Sequence, residues 1–122
     1  MILIVEDNEK NMKLVRDVLQ AKGYKTLEAV TGEDGVRLAK EHVPALVLMD
    51  IQLPGINGIE ALKQMRADPV TASIPVIAVT ASVMASDRRN ITDAGFDGYV
   101  GKPLNLKEFL DAVAAAVRER GA

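Results

Sequence analysis

Leu46-Val47-Leu48-Met49-Asp50 runs four apolar residues straight into a carboxylate, and Gln52-Leu53-Pro54-Gly55-Ile56-Asn57-Gly58 then breaks the pattern. A short, continuous apolar run bounded by turn residues reads as a strand buried on both faces. In an open parallel sheet, ligands bind in the crevice outside the carboxyl ends of the strands. Asp50 therefore stands where a side chain leaves the core and enters that crevice. An aspartate also opens turns as an ordinary solvated residue, so the remainder of the chain has to decide between the two.

Ile2-Leu3-Ile4-Val5 is a second apolar run, and it too ends on carboxylates, Glu6 and Asp7. Asn8-Glu9 opens a helix with a favoured cap. Its stripe is Met12, Val15, Val18 and Leu19, with Leu14 at the edge, Asn11 off the centre, and Gly23 at the end. Tyr24 to Ala29 alternates as a strand with Leu27 inward. Glu33 to Glu41 follows as a helix with Val36 and Ala39 toward the sheet, closed by His42-Val43-Pro44. Gly35 inside that helix costs about 1 kcal/mol against alanine.

Gly58 to Ala67 is the third helix, with Ile59, Leu62 and Met65 on one face, stopped by Asp68-Pro69. Pro75-Val76-Ile77-Ala78-Val79 is a further buried strand ending on Thr80. Met84 to Ala94 has only a thin stripe (Met84, Ile91, Ala94), which makes it the least secure helix. Gly98 to Gly101 is a last strand carrying Tyr99, ended by Lys102-Pro103. Leu106, Phe109, Leu110, Val113 and Val117 give a strongly amphipathic final helix.

Strands alternating with helices call for a parallel sheet covered on both faces. Right-handed crossovers allow the doubly wound order 2-1-3-4-5, the flavodoxin-like (βα)5 arrangement, as a single domain over residues 1–122. Its switch point lies between strands one and three. Those are the strands that end on Glu6-Asp7 and on Asp50, which favours an acidic site over a solvated turn.

Composition narrows the chemistry. With no cysteine and one histidine, His42, the chain lacks disulfides, thiol catalysis and multi-histidine metal sites. The formal net charge of -2 argues against holding nucleic acid by neutralising phosphates. No apolar run reaches the length of a membrane span, and Met1 leads into a strand rather than a signal peptide, so a cytoplasmic protein is expected. Three carboxylates packed together repel unless a cation or protons compensate. A hard ion with oxygen ligands suits them, and magnesium is favoured over calcium because it keeps water or phosphate among its ligands.

Magnesium beside a carboxylate suggests phosphoryl chemistry, in which an aspartate attacks phosphorus and forms an acyl phosphate. Two donors end neighbouring strands on the same rim, the Thr80 hydroxyl and the Lys102 ammonium. Neither phosphate-binding glycine loop occurs, and no Ser-His-Asp set assembles around His42.

Glu6-Asp7, Asp50, Thr80 and Lys102-Pro103, at these spacings, resemble the receiver domain of bacterial two-component response regulators, over essentially the whole chain. The runs Val5 to Glu9 with Asn11 to Leu14, and Leu48 to Pro54, are most similar to stand-alone, single-domain regulators. The resemblance implies that Asp50 accepts a phosphoryl group from a histidine kinase or histidine phosphotransferase. It also implies magnesium held by Asp7, Asp50 and the Gln52 backbone carbonyl, with Glu6 acting mainly through water. Lys102 would pair with the phosphoryl oxygens, Thr80 would hydrogen-bond them, and the small Ala81 would leave access. Lys102-Pro103 would be a cis peptide.

Thr80 and Tyr99 would form the switch, the ring turning inward behind the threonine. A half-buried strand tyrosine with a wet hydroxyl is the plainer reading of Tyr99. The phosphodonor would dock near Asn11, Leu14, Pro103 and Leu104, and a downstream target would bind the Met84 to Leu110 face. Gly35 departs from the alanine common in the family. Gln52 and Ser82 flank the site, where family members vary.

The expected activity is signalling rather than turnover, with at most self-phosphorylation from small donors and slow autodephosphorylation. A receiver cut from a hybrid kinase or an output-domain regulator is the alternative. A metal-dependent phosphatase fits less well, because Gln52 stands where such an enzyme needs a second acid. A flavin-binding module would need more aromatic residues than the chain has.

Overall fold

The structure is a computed structural model and describes residues 1–53, 55–80, 85–101 and 105–119. Elements alternate along the chain: β1 (Ile2–Val5), α1 (Glu9–Ala21), β2 (Thr26–Ala29), α2 (Gly32–His42), β3 (Leu46–Asp50), α3 (Gly58–Ala67), β4 (Val76–Thr80), α4 (Ala85–Ala94), β5 (Gly98–Gly101) and α5 (Leu106–Glu119). The five strands form one sheet in the order β2-β1-β3-β4-β5, with every pairing parallel. This is the doubly wound arrangement the alternation predicts.

Successive strand residues point to opposite faces, and the core divides accordingly. Leu3, Val5, Val47, Met49, Val76 and Ala78 pack with Ala39 of α2, Ala61, Leu62 and Met65 of α3, and Ile91 of α4. Ile2, Ile4, Leu46, Leu48, Ile77 and Val79 pack with Met12, Val15 and Leu19 of α1 and Phe109 and Val113 of α5. Helices α2, α3 and α4 thus cover one face, and α1 and α5 the other. The continuous apolar runs are what two covered faces require. Each fully buried Leu, Ile or Phe contributes about 1.5–3 kcal/mol.

Several boundaries differ from the sequence reading for physical reasons. Strand β2 begins at Thr26 rather than Tyr24, because the Tyr24 N–H is spent closing α1. It donates to the Leu19 carbonyl at 3.1 Å, while Gly23, at φ 89, donates to Gln20 at 3.0 Å. This paired closure with a left-handed glycine is a Schellman motif. Helix α2 starts at Gly32 because Thr31 caps it, accepting the Asp34 N–H at 3.1 Å. It ends on Val43 at φ 46, a left-handed conformation that strains a β-branched residue, just before Pro44. His42 is exposed at the helix end, as expected.

Gly35 is more than a weak point in α2. An added Cβ would lie 2.7 Å from Val5 Cγ2 and 3.1 Å from Val5 Cγ1, so glycine lets the helix sit close on β1. Far from the rim, Asp68 accepts the Val70 N–H at 2.9 Å and pairs with Lys40 at 3.3 Å. That backbone donor, with the lysine, holds its carboxyl below the ordinary aspartate value despite some loss of solvation.

Candidate functional site

Register builds the site. Val5 pairs with Met49, so the next residues, Glu6 and Asp50, emerge side by side at the carboxyl rim of β1 and β3. Asp50 in turn pairs with Val79, which puts Thr80 one step further along the same rim on β4. Thr80 pairs with Gly101 of β5. The chain reaches Lys102 at the following position, but Lys102, Pro103 and Leu104, with Pro54, Ala81, Ser82 and Met84, lie outside the described residues.

Glu6, Asp7 and Asp50 each direct a carboxylate oxygen to within 4.8 Å of the other two. Glu6 and Asp50 are buried and Asp7 is exposed, so the cluster opens to solvent on one side. Burying two carboxylates beside a third is costly without a compensating cation or protons. The donor set is all oxygen, which suits a hard ion such as magnesium and leaves coordination positions for water or phosphate.

The carboxylates are oriented from the backbone. Asp50 Oδ1 accepts the Gln52 N–H at 3.0 Å, which turns the chain sharply out of β3. Glu6 Oε2 accepts the Asn8 N–H at 3.2 Å. The Asn8 side chain caps α1, accepting from Lys10 and Asn11 at 3.0 and 3.1 Å.

The cleft is lined by Glu6, Asp7, Asn8, Asn11, Asp50, Ile51, Gln52, Leu53 and Asn57. Thr80 is buried at the end of β4. Tyr99 is 38% exposed, in keeping with a half-buried strand tyrosine. Leu14 is 42% exposed and lies about one helical turn beyond Asn11, which lines the cleft.

Four lining residues, Asn8, Ile51, Leu53 and Asn57, went unnoticed as parts of a site. Asn57 caps α3, accepting the Glu60 N–H at 2.9 Å. An Asn followed three residues later by Glu is a capping signature, so its place at a helix start was readable. Ile51 and Leu53 carried no signal, because they enter the cleft only through the turn after Asp50.

Residues 2–114 match the family model described as the response regulator receiver domain. The polar-differentiation response regulator DivK of Brucella ovis is 45% identical over 112 residues, which are 92% of this chain and 91% of that protein. Among solved structures, the receiver domain of the sensor histidine kinase PA1611 from Pseudomonas aeruginosa superposes with a TM-score of 0.88 at 32% identity, over 95% of each chain. That structure has a magnesium ion coordinated in its active-site cleft. A CheY-like receiver domain protein from Methanospirillum hungatei superposes with a TM-score of 0.85 at 28% identity, covering 98% of this chain and 94% of that one. With its acidic cluster at the switch point of a five-stranded parallel sheet, the chain belongs to the receiver domains of two-component response regulators.

Proposed function

We propose that Asp50 is the phosphoacceptor of a signalling switch charged by a histidine kinase or histidine phosphotransferase. The observation that carries this reading is the convergence of three carboxylates within 4.8 Å, with Asp50 buried at the end of the central strand. An Asp50 carboxylate oxygen forms the new bond to phosphorus while the P–N bond of the donor phosphohistidine breaks. The electron pair of that bond returns to the imidazole nitrogen.

Asp7, Asp50 and the Gln52 carbonyl would hold magnesium, with Glu6 reaching it through water. The ion would supply positive charge for the phosphoryl oxygens. Thr80, at the end of the neighbouring strand, would donate its hydroxyl to one of those oxygens. Lys102 would pair with another, a role that rests on the family resemblance. Moving Thr80 toward the phosphoryl group would free space behind it for Tyr99, whose partial exposure is compatible with the state before transfer. The two conformers then differ in the face from α4 to α5, where a downstream protein would bind.

The protein is a switch rather than a turnover enzyme, with self-phosphorylation from small donors and slow autodephosphorylation as its only chemistry. This reading implies a cytoplasmic location and a protein rather than nucleic-acid target. Among the described residues, no helix is long and apolar enough to cross a membrane.

Phosphotransfer from a labelled histidine phosphotransferase tests both the acceptor and the docking surface. Label should reach the wild type and fail to reach Asp50→Asn. It should reach Leu14→Ala more slowly, while small-molecule phosphorylation of that variant stays at the wild-type rate. Label on Asp50→Asn would remove Asp50 from its role, and equal loss with both donors would remove Leu14 from the docking surface.

A further inference from the structure

The loop from β3 to α3 leads out of Asp50 and carries the Gln52 carbonyl, and it is held at two places. At its base, Gly58 donates its N–H to the Ile51 carbonyl at 2.9 Å. The backbone there is so close that an added Cβ on Gly58 would run into the Asp50 carbonyl oxygen. At its outer edge the loop is held from α2. Ile56 donates its N–H to Glu33 Oε1 at 3.4 Å.

The same carboxylate lies over Gly55, where an added Cβ would come within 2.6 Å of Glu33 Oε2. Gly55 has φ 73, a conformation that glycine tolerates, and its bare Cα leaves room for the carboxylate. Gly32, just before Glu33, is equally close: a Cβ there would lie 2.7 Å from both Ile56 Cγ1 and the Ile56 carbonyl oxygen.

We propose that Glu33 is a positioning residue for the metal site. By gripping Gly55 and Ile56 from α2, it fixes the loop that presents the Gln52 carbonyl and orients Asp50, although Glu33 itself lies outside the cleft. This rests on the proposed roles of Asp50 and Gln52. Magnesium demands near-ideal octahedral geometry, so its affinity is sensitive to small displacements of a ligand-bearing loop. A glutamate in the first turn of a helix ordinarily serves only the helix dipole. Here it also bridges residues more than twenty positions apart.

The test is magnesium affinity by titration calorimetry, with amide hydrogen exchange at Ile56, on the wild type, Glu33→Gln and Glu33→Ala. Glutamine removes the charge and keeps an acceptor for the Ile56 N–H, which separates the grip from long-range attraction of the cation. Glu33→Ala should weaken magnesium binding roughly threefold to tenfold and speed exchange at Ile56, while Glu33→Gln should stay within about twofold of the wild type. Equal weakening in both variants would make charge alone responsible and overturn the proposal. Unchanged affinity in Glu33→Ala would overturn it too, even with a lowered melting temperature. A wild type that binds no magnesium would instead overturn the metal-site roles of Asp50 and Gln52, and the grip with them.

Discussion

Asp50 ends β3 beside Glu6 because Met49 pairs with Val5, and a slip of one residue in that register would turn its carboxylate to the other face. The residues that fix the site are therefore partly those that let elements approach the sheet. Gly35 is one of them. Replacing it with alanine adds helix propensity worth about 1 kcal/mol. It also drives a methyl into the buried Val5 side chain, and overpacking of that kind costs about 1–3 kcal/mol. Urea denaturation of Gly35→Ala should show a net loss of about 1 kcal/mol; a gain in stability would show that α2 can move off β1 freely. The identity of Gly35 was visible in the sequence, but its sign was not, since the reading that it merely loosens the helix ignores the strand beneath it.

Among the elements, α4 is the one with the thinnest apolar stripe, and its carboxyl end is secured by polar contacts instead. Arg66 of α3 donates to the carbonyls of Ala72 and Ile74 at 3.0 and 2.7 Å, to Gly95 at 3.3 Å, and to Asp97 at 2.9 Å. Asp97 Oδ2 also accepts the Val76 N–H at 2.8 Å, so one ion pair ties the ends of α3 and α4 to the start of β4. Arg66→Met keeps the aliphatic stem but strips these carbonyls of their partner, and should cost about 2 kcal/mol in chemical denaturation. A loss within about 0.5 kcal/mol would mean that water replaces the guanidinium. Existence and type of all ten elements were legible, because apolar runs and helical periodicity record burial directly. The contacts of Arg66 and Glu33 were not, because they join residues far apart in sequence and leave no periodic trace.

At the scale of the whole molecule, a cluster of carboxylates sits at the switch point of the sheet, and its repulsion is part of the stability of the fold. A ligand that binds only the folded state stabilises it by mass action. Magnesium at ten times its dissociation constant should therefore add about 1.4 kcal/mol. For a chain of this size that corresponds to a rise of roughly 5 °C in melting temperature. Asp50→Asn should lose most of that response and, without magnesium, melt above the wild type because one repelling charge is gone. An equal magnesium response in both proteins would place the ion elsewhere.

The acidic half of the site was legible because β1 and β3 both end on carboxylates and the strand order brings those ends together. Whether Asp50 is the phosphoacceptor can be read from intact mass after incubation with acetyl phosphate, with and without magnesium, on the wild type and Asp50→Asn. A gain of one phosphoryl group by the wild type alone, and only with magnesium, is the predicted result. A gain by Asp50→Asn, or none by the wild type under any condition, would remove Asp50 from that role.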